Sequence, residues 1–346
     1  MKITSLFLLF LLFPVPLFTQ EKPAGGKISG YVFGDYYFKL GGDSSGASSQ
    51  YSALKKDNQA FQFRRMYLYY DHTFDEKYSA QFLLEGNDKA LEPGGKHGIF
   101  VKTAYLEIKN VYTNANLWFG LIPAPTWTLS ERTWNYRSVE KTIMDFRGLG
   151  GGTDMGVGLR GKFDSEGMFN YAGMIGNGNG QKPENNRYKK YYLSLNAKLT
   201  KEFVIEGYFD FEPAANDANK TSLKGFVAYQ TNKITIGVEA MQQRQRKANA
   251  GNDKTPIGLS LFSRVPFPSQ EKINVFVRFD IYNPDSKMKN AGYSENFFVV
   301  GLDYMPIPDI HLMPNFWVNT FSDKSAAKIK KDADLVARIT FYYVYK

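Results

Sequence analysis

The connectors of this chain constrain its fold more tightly than its strands do. From Lys27 onward, runs with period-two alternation are separated by turn residues, and every second connector is short while those between are long and polar. The short set is 75–76, 111–115, 164–166, 200–201, 232, 266–271 and 305–308. The long set is 40–59, 87–98, 123–152, 177–187, 213–220, 244–255, 283–294 and 322–333. A two-beat rhythm kept to the end of the chain belongs to an antiparallel cylinder with tight turns at one rim and long loops at the other. A soluble β-sandwich or jelly roll has no reason to keep it.

Sixteen runs result, at about 27–39, 60–74, 77–86, 99–110, 116–122, 153–163, 167–176, 188–199, 202–212, 221–231, 233–243, 256–265, 272–282, 295–304, 309–321 and 334–345. Alternation is clear where Leu193, Leu195, Ala197 and Leu199 interleave with Ser194, Asn196 and Lys198. It recurs where Ile273, Val275, Val277, Phe279 and Ile281 interleave with Asn274, Arg278 and Asp280, and where Leu335 to Tyr345 place Arg338 and Thr340 on the other face. Hydrocarbon offers backbone groups no water, so strands cross it only as a closed cylinder. Sixteen strands make a bore too wide for side chains to fill. The expected fold is therefore an all-β transmembrane antiparallel barrel around an aqueous lumen, with both termini on the side of the tight turns.

The beginning of the chain names the compartment. Met1-Lys2 is followed by an apolar run to Phe13 that Pro14 and Pro16 break, which reads as a cleaved secretory signal, 1–20, before a single barrel domain, 21–346. The chain has no cysteine, which excludes a lipoprotein anchor, a disulfide framework and a thiolate metal site. Aromatics make up 16% of residues, as girdles at two membrane interfaces require. The formal charge of +9 resides largely in long connectors, at 187–190, 244–247 and 328–331. There it would meet anionic lipopolysaccharide; without a module to present the clusters, no nucleic-acid partner is expected.

The longest connector, 123–152, is the third external loop and is too apolar for a solvated cap. Trp127, Trp134, Tyr136, Ile143, Met144 and Phe146 should pack against the barrel interior, folding the loop inward to form a constriction. Its charged residues Arg132, Arg137, Lys141, Arg147, Glu140 and Asp145 are then constriction candidates, together with Glu131. Four basic and three acidic residues leave the loop one charge positive. By strand parity, Arg65, Arg160, Arg278, Arg338, Glu107 and Asp280 are lumen-wall candidates, in company with Lys109, Lys162, Asp71, Glu85, Glu206, Asp210, Glu239 and Asp303. Facing rows of opposite sign would set a transverse field that favours polar solutes.

The chain resembles the phosphate-selective porin O and P family, in Phe61-Gln62-Phe63-Arg64-Arg65-Met66-Tyr67-Leu68 and in Leu117-Trp118-Phe119-Gly120-Leu121-Ile122-Pro123. The likeness continues in Tyr136-Arg137-Ser138-Val139-Glu140-Lys141, in the run from Thr153 to Gly161 and in Asn177-Gly178-Asn179-Gly180. It covers about the first half of the barrel; the remainder agrees in rhythm alone. The resemblance implies a bacterial outer-membrane porin for passive diffusion of small polar solutes or anions such as phosphate, commonly a homotrimer. Members with strong phosphate preference carry closely spaced lysines in the inward loop, whereas Lys141 is the only lysine of this one. The terminal aromatic expected of such barrels is here Tyr345, followed by Lys346. A structural or adhesive barrel acting through its external loops is the alternative.

Other chemistry is set aside on spacing. Gly156-Val157-Gly158-Leu159-Arg160-Gly161 matches a dinucleotide pattern, but a strand and a polar turn follow where that motif needs a helix, so no cofactor is expected. The glycines read as close-packed wall positions. His72, His97 and His311 have no metal-ligand spacing. Asp71 and His72 are strand neighbours pointing to opposite faces, and no nucleophile elbow is present, so no enzyme activity is expected.

Overall fold

In a computed structural model, residues 25–42, 51 and 53–346 are described; the signal segment 1–20 lies outside them. The chain forms a closed antiparallel barrel of sixteen strands. These are β1 (Gly25–Gly41), β2 (Gln59–Thr73), β3 (Tyr78–Leu91), β4 (His97–Tyr112), β5 (Ala115–Pro123), β6 (Thr153–Lys162), β7 (Phe169–Gly176) and β8 (Lys190–Lys198). They continue as β9 (Phe203–Glu212), β10 (Lys220–Gln230), β11 (Thr235–Asn249), β12 (Ile257–Phe267), β13 (Gln270–Asn283), β14 (Tyr293–Ile307), β15 (Ile310–Asp323) and β16 (Asp334–Tyr345). Each pairs with its sequence neighbours, and β1 closes the cylinder on β16 from Gly30↔Tyr345 to Gly41↔Leu335. A three-residue strand, Asn252–Lys254, only prolongs the β11 hairpin. Among the described residues no helix is long and apolar enough to cross a membrane.

The side-chain alternation sets the two surfaces. Leu193, Leu195, Phe279, Ile281, Ile339 and Phe341 stand exposed on the outer wall, while Ser194, Arg278, Asp280, Arg338 and Thr340 point inward and are buried. An outer face of this kind suits hydrocarbon, not water. The tight turns gather at one rim, as at 113–114, 268–269 and 308–309, and the long connectors at the other.

Some connectors and one register depart from the sequence expectation, the one expected at 244–255 being largely taken up by β11 and the strand Asn252–Lys254. The connector expected at 87–98 shrinks to 92–96, because β3 and β4 run on past Gly86. That extension has polar residues on both faces, as a hairpin wet on both sides can, so period-two patterning cannot detect it. Between β1 and β2 the register passes from Phe33↔Arg65 to Gly34↔Phe63, leaving Arg64 as an unmatched bulge residue. Arg64 and Arg65 therefore both reach the interior, one to the inward loop and one to Glu85.

The loop enters the barrel where β5 ends. Gly120 takes φ +125°, and a Cβ there would sit 2.5 Å from the Ala104 carbonyl, so only glycine allows β4 and β5 to approach this closely just before the chain leaves the wall. Segment 124–152 then makes two short helices, α1 (Thr128–Trp134) and α2 (Ile143–Phe146), inside the cylinder. Asn135 ends α1 in the left-handed conformation, a position that asparagine tolerates.

Candidate functional site

The inward loop divides the lumen into a covered wall and an open one. Against the covered wall, Trp134, Tyr136 and Val139 pack on Phe226, Phe262, Phe276, Phe297 and Trp317, which project inward from β10, β12, β13, β14 and β15. Tyr136 and Phe276 have ring centroids 4.4 Å apart, and Trp134 and Phe262 5.2 Å. A second cluster joins Trp127, Ile143, Met144 and Leu149 to Tyr208, Met241 and Tyr282. Removing aromatic surface from water drives this docking, and aromatic pairs add about 0.5–1.5 kcal/mol each beyond area.

Polar groups in the seam are matched to the loop backbone. Arg64 donates to the Ser138 carbonyl at 2.8 Å and the Val139 carbonyl at 3.1 Å, and Arg338 donates to Val139 at 3.1 Å. Arg278 donates to the Lys141 carbonyl while it chelates Asp280. Trp317 donates Nε1 to Glu140 at 2.9 Å, Tyr136 donates its hydroxyl to Asp303 at 3.1 Å, and Gln243 donates to the Leu149 carbonyl at 2.7 Å. Arg147 pairs with Glu295 at 2.6 Å. Such charged groups in low dielectric are tolerable only when paired and hydrogen-bonded.

Five residues expected to face the bore sit elsewhere for this reason. Glu140 and Arg147 of the loop and Arg278, Asp280 and Arg338 of the wall are at most 8% exposed and lie in the seam between the two, holding the loop to the wall. Parity placed the wall residues on the inner face, as found, but could not tell that the loop would cover them. Arg160 is half-buried at the loop root, its guanidinium 4.1 Å above the Trp118 ring and donating to the Pro123 carbonyl. Glu107 accepts from Ser79 at 3.0 Å and Asn116 at 2.7 Å, toward the tight-turn rim.

Arg65, Arg132, Arg137, Lys141 and Asp145 do come together. They line a cavity of about 720 Å³ between the loop and β1 to β4, with Glu85, Lys102, Glu131, Tyr31, Tyr67 and Tyr69. On the loop side Arg137 pairs with Glu131 and, at 2.7 Å, with Asp145, which also lies 3.7 Å from Lys141. On the wall side Glu85 lies between Arg65 at 3.2 Å and Lys102 at 3.1 Å. Opposite charges are thus neighbours on the same side of the cavity, not facing rows, and the expected transverse field gives way to two mixed patches. Five basic against three acidic residues leave the lining positive by two. Among the described residues, Arg132 makes no ion pair and is exposed to the cavity.

Sequence reasoning missed Lys102, the bulged Arg64 as a loop anchor, and the inward tyrosines. For the covered wall a signal was available: Phe276 and Phe297 break the polar phase of their strands, and apolar inward positions call for a covering segment. Among the described residues no cluster of side chains could hold a metal ion.

The fold is that of the sixteen-stranded outer-membrane porins. The chain is similar to an anion-selective porin from Comamonas acidovorans, with TM-score 0.67 and 10% identity, covering 93% of this chain and 100% of that one. It is similar also to the outer membrane channel DcaP of Acinetobacter baumannii, with TM-score 0.67, 12% identity and coverage of 93% and 97%. The trimer form of OmpT, an outer membrane protein of Vibrio cholerae, matches with TM-score 0.61, 12% identity and coverage of 94% and 100%. No family model and no curated protein matches the sequence.

Proposed function

We propose that this protein is an outer-membrane porin through which small polar solutes diffuse passively, anions ahead of cations, past a constriction made by loop 124–152. The observation that carries this reading is the mixed but net positive lining of the cavity beside a loop docked on one wall. Mobile ions respond to the sum of nearby fixed charges, and a net positive narrowing raises local anion concentration. Arg132 is the strongest candidate for direct anion contact, since the other basic groups of the lining have carboxylate partners. In this reading the signal 1–20 is cleaved on export, the outer wall meets lipid and lipopolysaccharide, and the chain assembles as a homotrimer.

We read the site as anion-favouring rather than phosphate-selective. Phosphate preference of the kind the O and P family implies rests on clustered lysines, and Lys102 and Lys141 are the only lysines of this lining. The test is current through purified protein in a planar lipid bilayer under a salt gradient, with chloride, phosphate and a dicarboxylate compared. Conductance steps with an anion-favouring reversal potential are expected. A correctly folded protein that carries no current would overturn the channel reading in favour of a structural barrel.

A further inference from the structure

The open wall carries a feature that general ion passage leaves unused. Tyr31, Tyr67 and Tyr69 from β1 and β2 and Tyr342 from β16 line the same cavity as Arg65, Arg132 and Arg137. Their rings form one group: Tyr31 lies 4.7 Å from Tyr67, 5.7 Å from Tyr342 and 6.3 Å from Tyr69, and Tyr67 lies 6.2 Å from Tyr69. Arg65 joins the charged patch to this group, donating Nη1 to the Tyr67 hydroxyl at 3.3 Å with its guanidinium 5.8 Å above that ring.

Cross-strand aromatic pairs often do no more than brace a sheet. Here, however, three of the four rings are only half-buried and border a cavity instead of a covering layer. Their hydroxyls keep the surface wettable, and the faces of Tyr31, Tyr69 and Tyr342 are partly open while Tyr67 is enclosed behind them. Bracing alone does not require that these rings be left uncovered beside guanidinium groups. A wettable aromatic surface next to guanidinium groups is complementary to a planar ring bearing a carboxylate. The ring stacks on the tyrosines, and the carboxylate meets Arg65 or, across the cavity, Arg132.

We infer that the tyrosine group is a binding station for flat aromatic carboxylates, which the channel takes up in preference to aliphatic acids of equal charge. This rests on the cavity being part of the permeation path. Weak stacking suits such a station, because a solute held tightly would block the channel instead of crossing it.

The experiment measures reduction of chloride current in a planar bilayer by benzoate, cyclohexanecarboxylate and acetate at matched ionic strength. Benzoate should act at roughly two- to tenfold lower concentration than cyclohexanecarboxylate, which has the same charge and similar bulk without a π-face. Tyr69→Leu and, separately, Tyr31→Leu should bring the two acids together, whereas Tyr69→Phe should keep them apart. Equal action of the two ring acids on the wild-type channel would overturn the inference while leaving the channel reading intact, and that comparison needs no variant to fold. An undiminished benzoate preference in conducting Tyr69→Leu and Tyr31→Leu proteins would overturn it as well. Absence of any current from the wild type would overturn the channel reading first, and the station with it.

Discussion

The two sides of the inner wall use similar charged residues for different purposes. On the covered side, Arg278, Arg338 and Arg147 are enclosed, each tied to carbonyls, amides or carboxylates. On the open side, Arg65 and Lys102, 14% and 23% exposed, share the buried Glu85 at the edge of a cavity. The distinction is dielectric. A buried guanidinium that loses its carboxylate, or the reverse, leaves a charge that water cannot reach, while a cation at the cavity edge can turn to hydration. The same residue type is therefore structural on one side and tunable on the other.

Deleting a charge on each side gives the sharpest contrast. Arg278→Ala leaves Asp280 buried without its partner and frees the Lys141 carbonyl; it should cost about 3–5 kcal/mol, read as a lower unfolding temperature in detergent, and should loosen the loop enough to raise conductance. Lys102→Ala should cost less, about 1–3 kcal/mol, since the buried Glu85 loses one partner but keeps Arg65 and the Asn87 amide. Equal losses from the two substitutions would erase the comparison.

Next in size is Tyr136→Phe, which removes the hydroxyl donated to Asp303 while keeping the ring on Phe276. A loss of about 1.5–3 kcal/mol is expected for a buried hydrogen bond to a charged group, with noisier open-channel current as the loop gains freedom. Arg132→Gln should barely move the unfolding temperature, because the side chain has no ion pair, yet should shift the reversal potential toward cations. A shift in stability without a shift in selectivity would place Arg132 outside the path.

The smallest effect concerns pH and separates the two acids that share Arg137. Burial pushes the Glu131 carboxyl above the usual carboxylate range, with Arg137 only partly offsetting it. Burial acts the same way on Asp145, but Arg137 and Lys141 outweigh it and hold that carboxyl below the usual range. As pH falls, Glu131 takes its proton first, and the loop lining gains one positive charge while Asp145 stays ionised. Anion selectivity should therefore rise modestly on acidification, in wild type but not in Glu131→Gln, as followed by reversal potential.

Much of this architecture was legible in the residues. Strand alternation, the rhythm of connectors and the apolar content of 123–152 led to a sixteen-stranded barrel with an inward loop, because each rests on periodicity or local composition that a bilayer and a wet lumen impose directly. The inward parity of Arg278 and Arg338 was legible for the same reason. That these arginines lie beneath the loop was not, since parity assigns a face and says nothing about what lies on it.

By itself the sequence determined the closed wall, the direction each strand residue points and the presence of a segment too apolar to stay in water. Tertiary structure alone decided which inner surface that segment covers, and so which charges hold it and which meet a solute. It also decided, through the bulge at Arg64, that two consecutive arginines turn inward. The reason is physical: alternation is a property of neighbours along the chain, whereas docking depends on aromatic surfaces and buried hydrogen bonds brought together from segments more than a hundred residues apart, as between Glu140 of the loop and Trp317 of the wall.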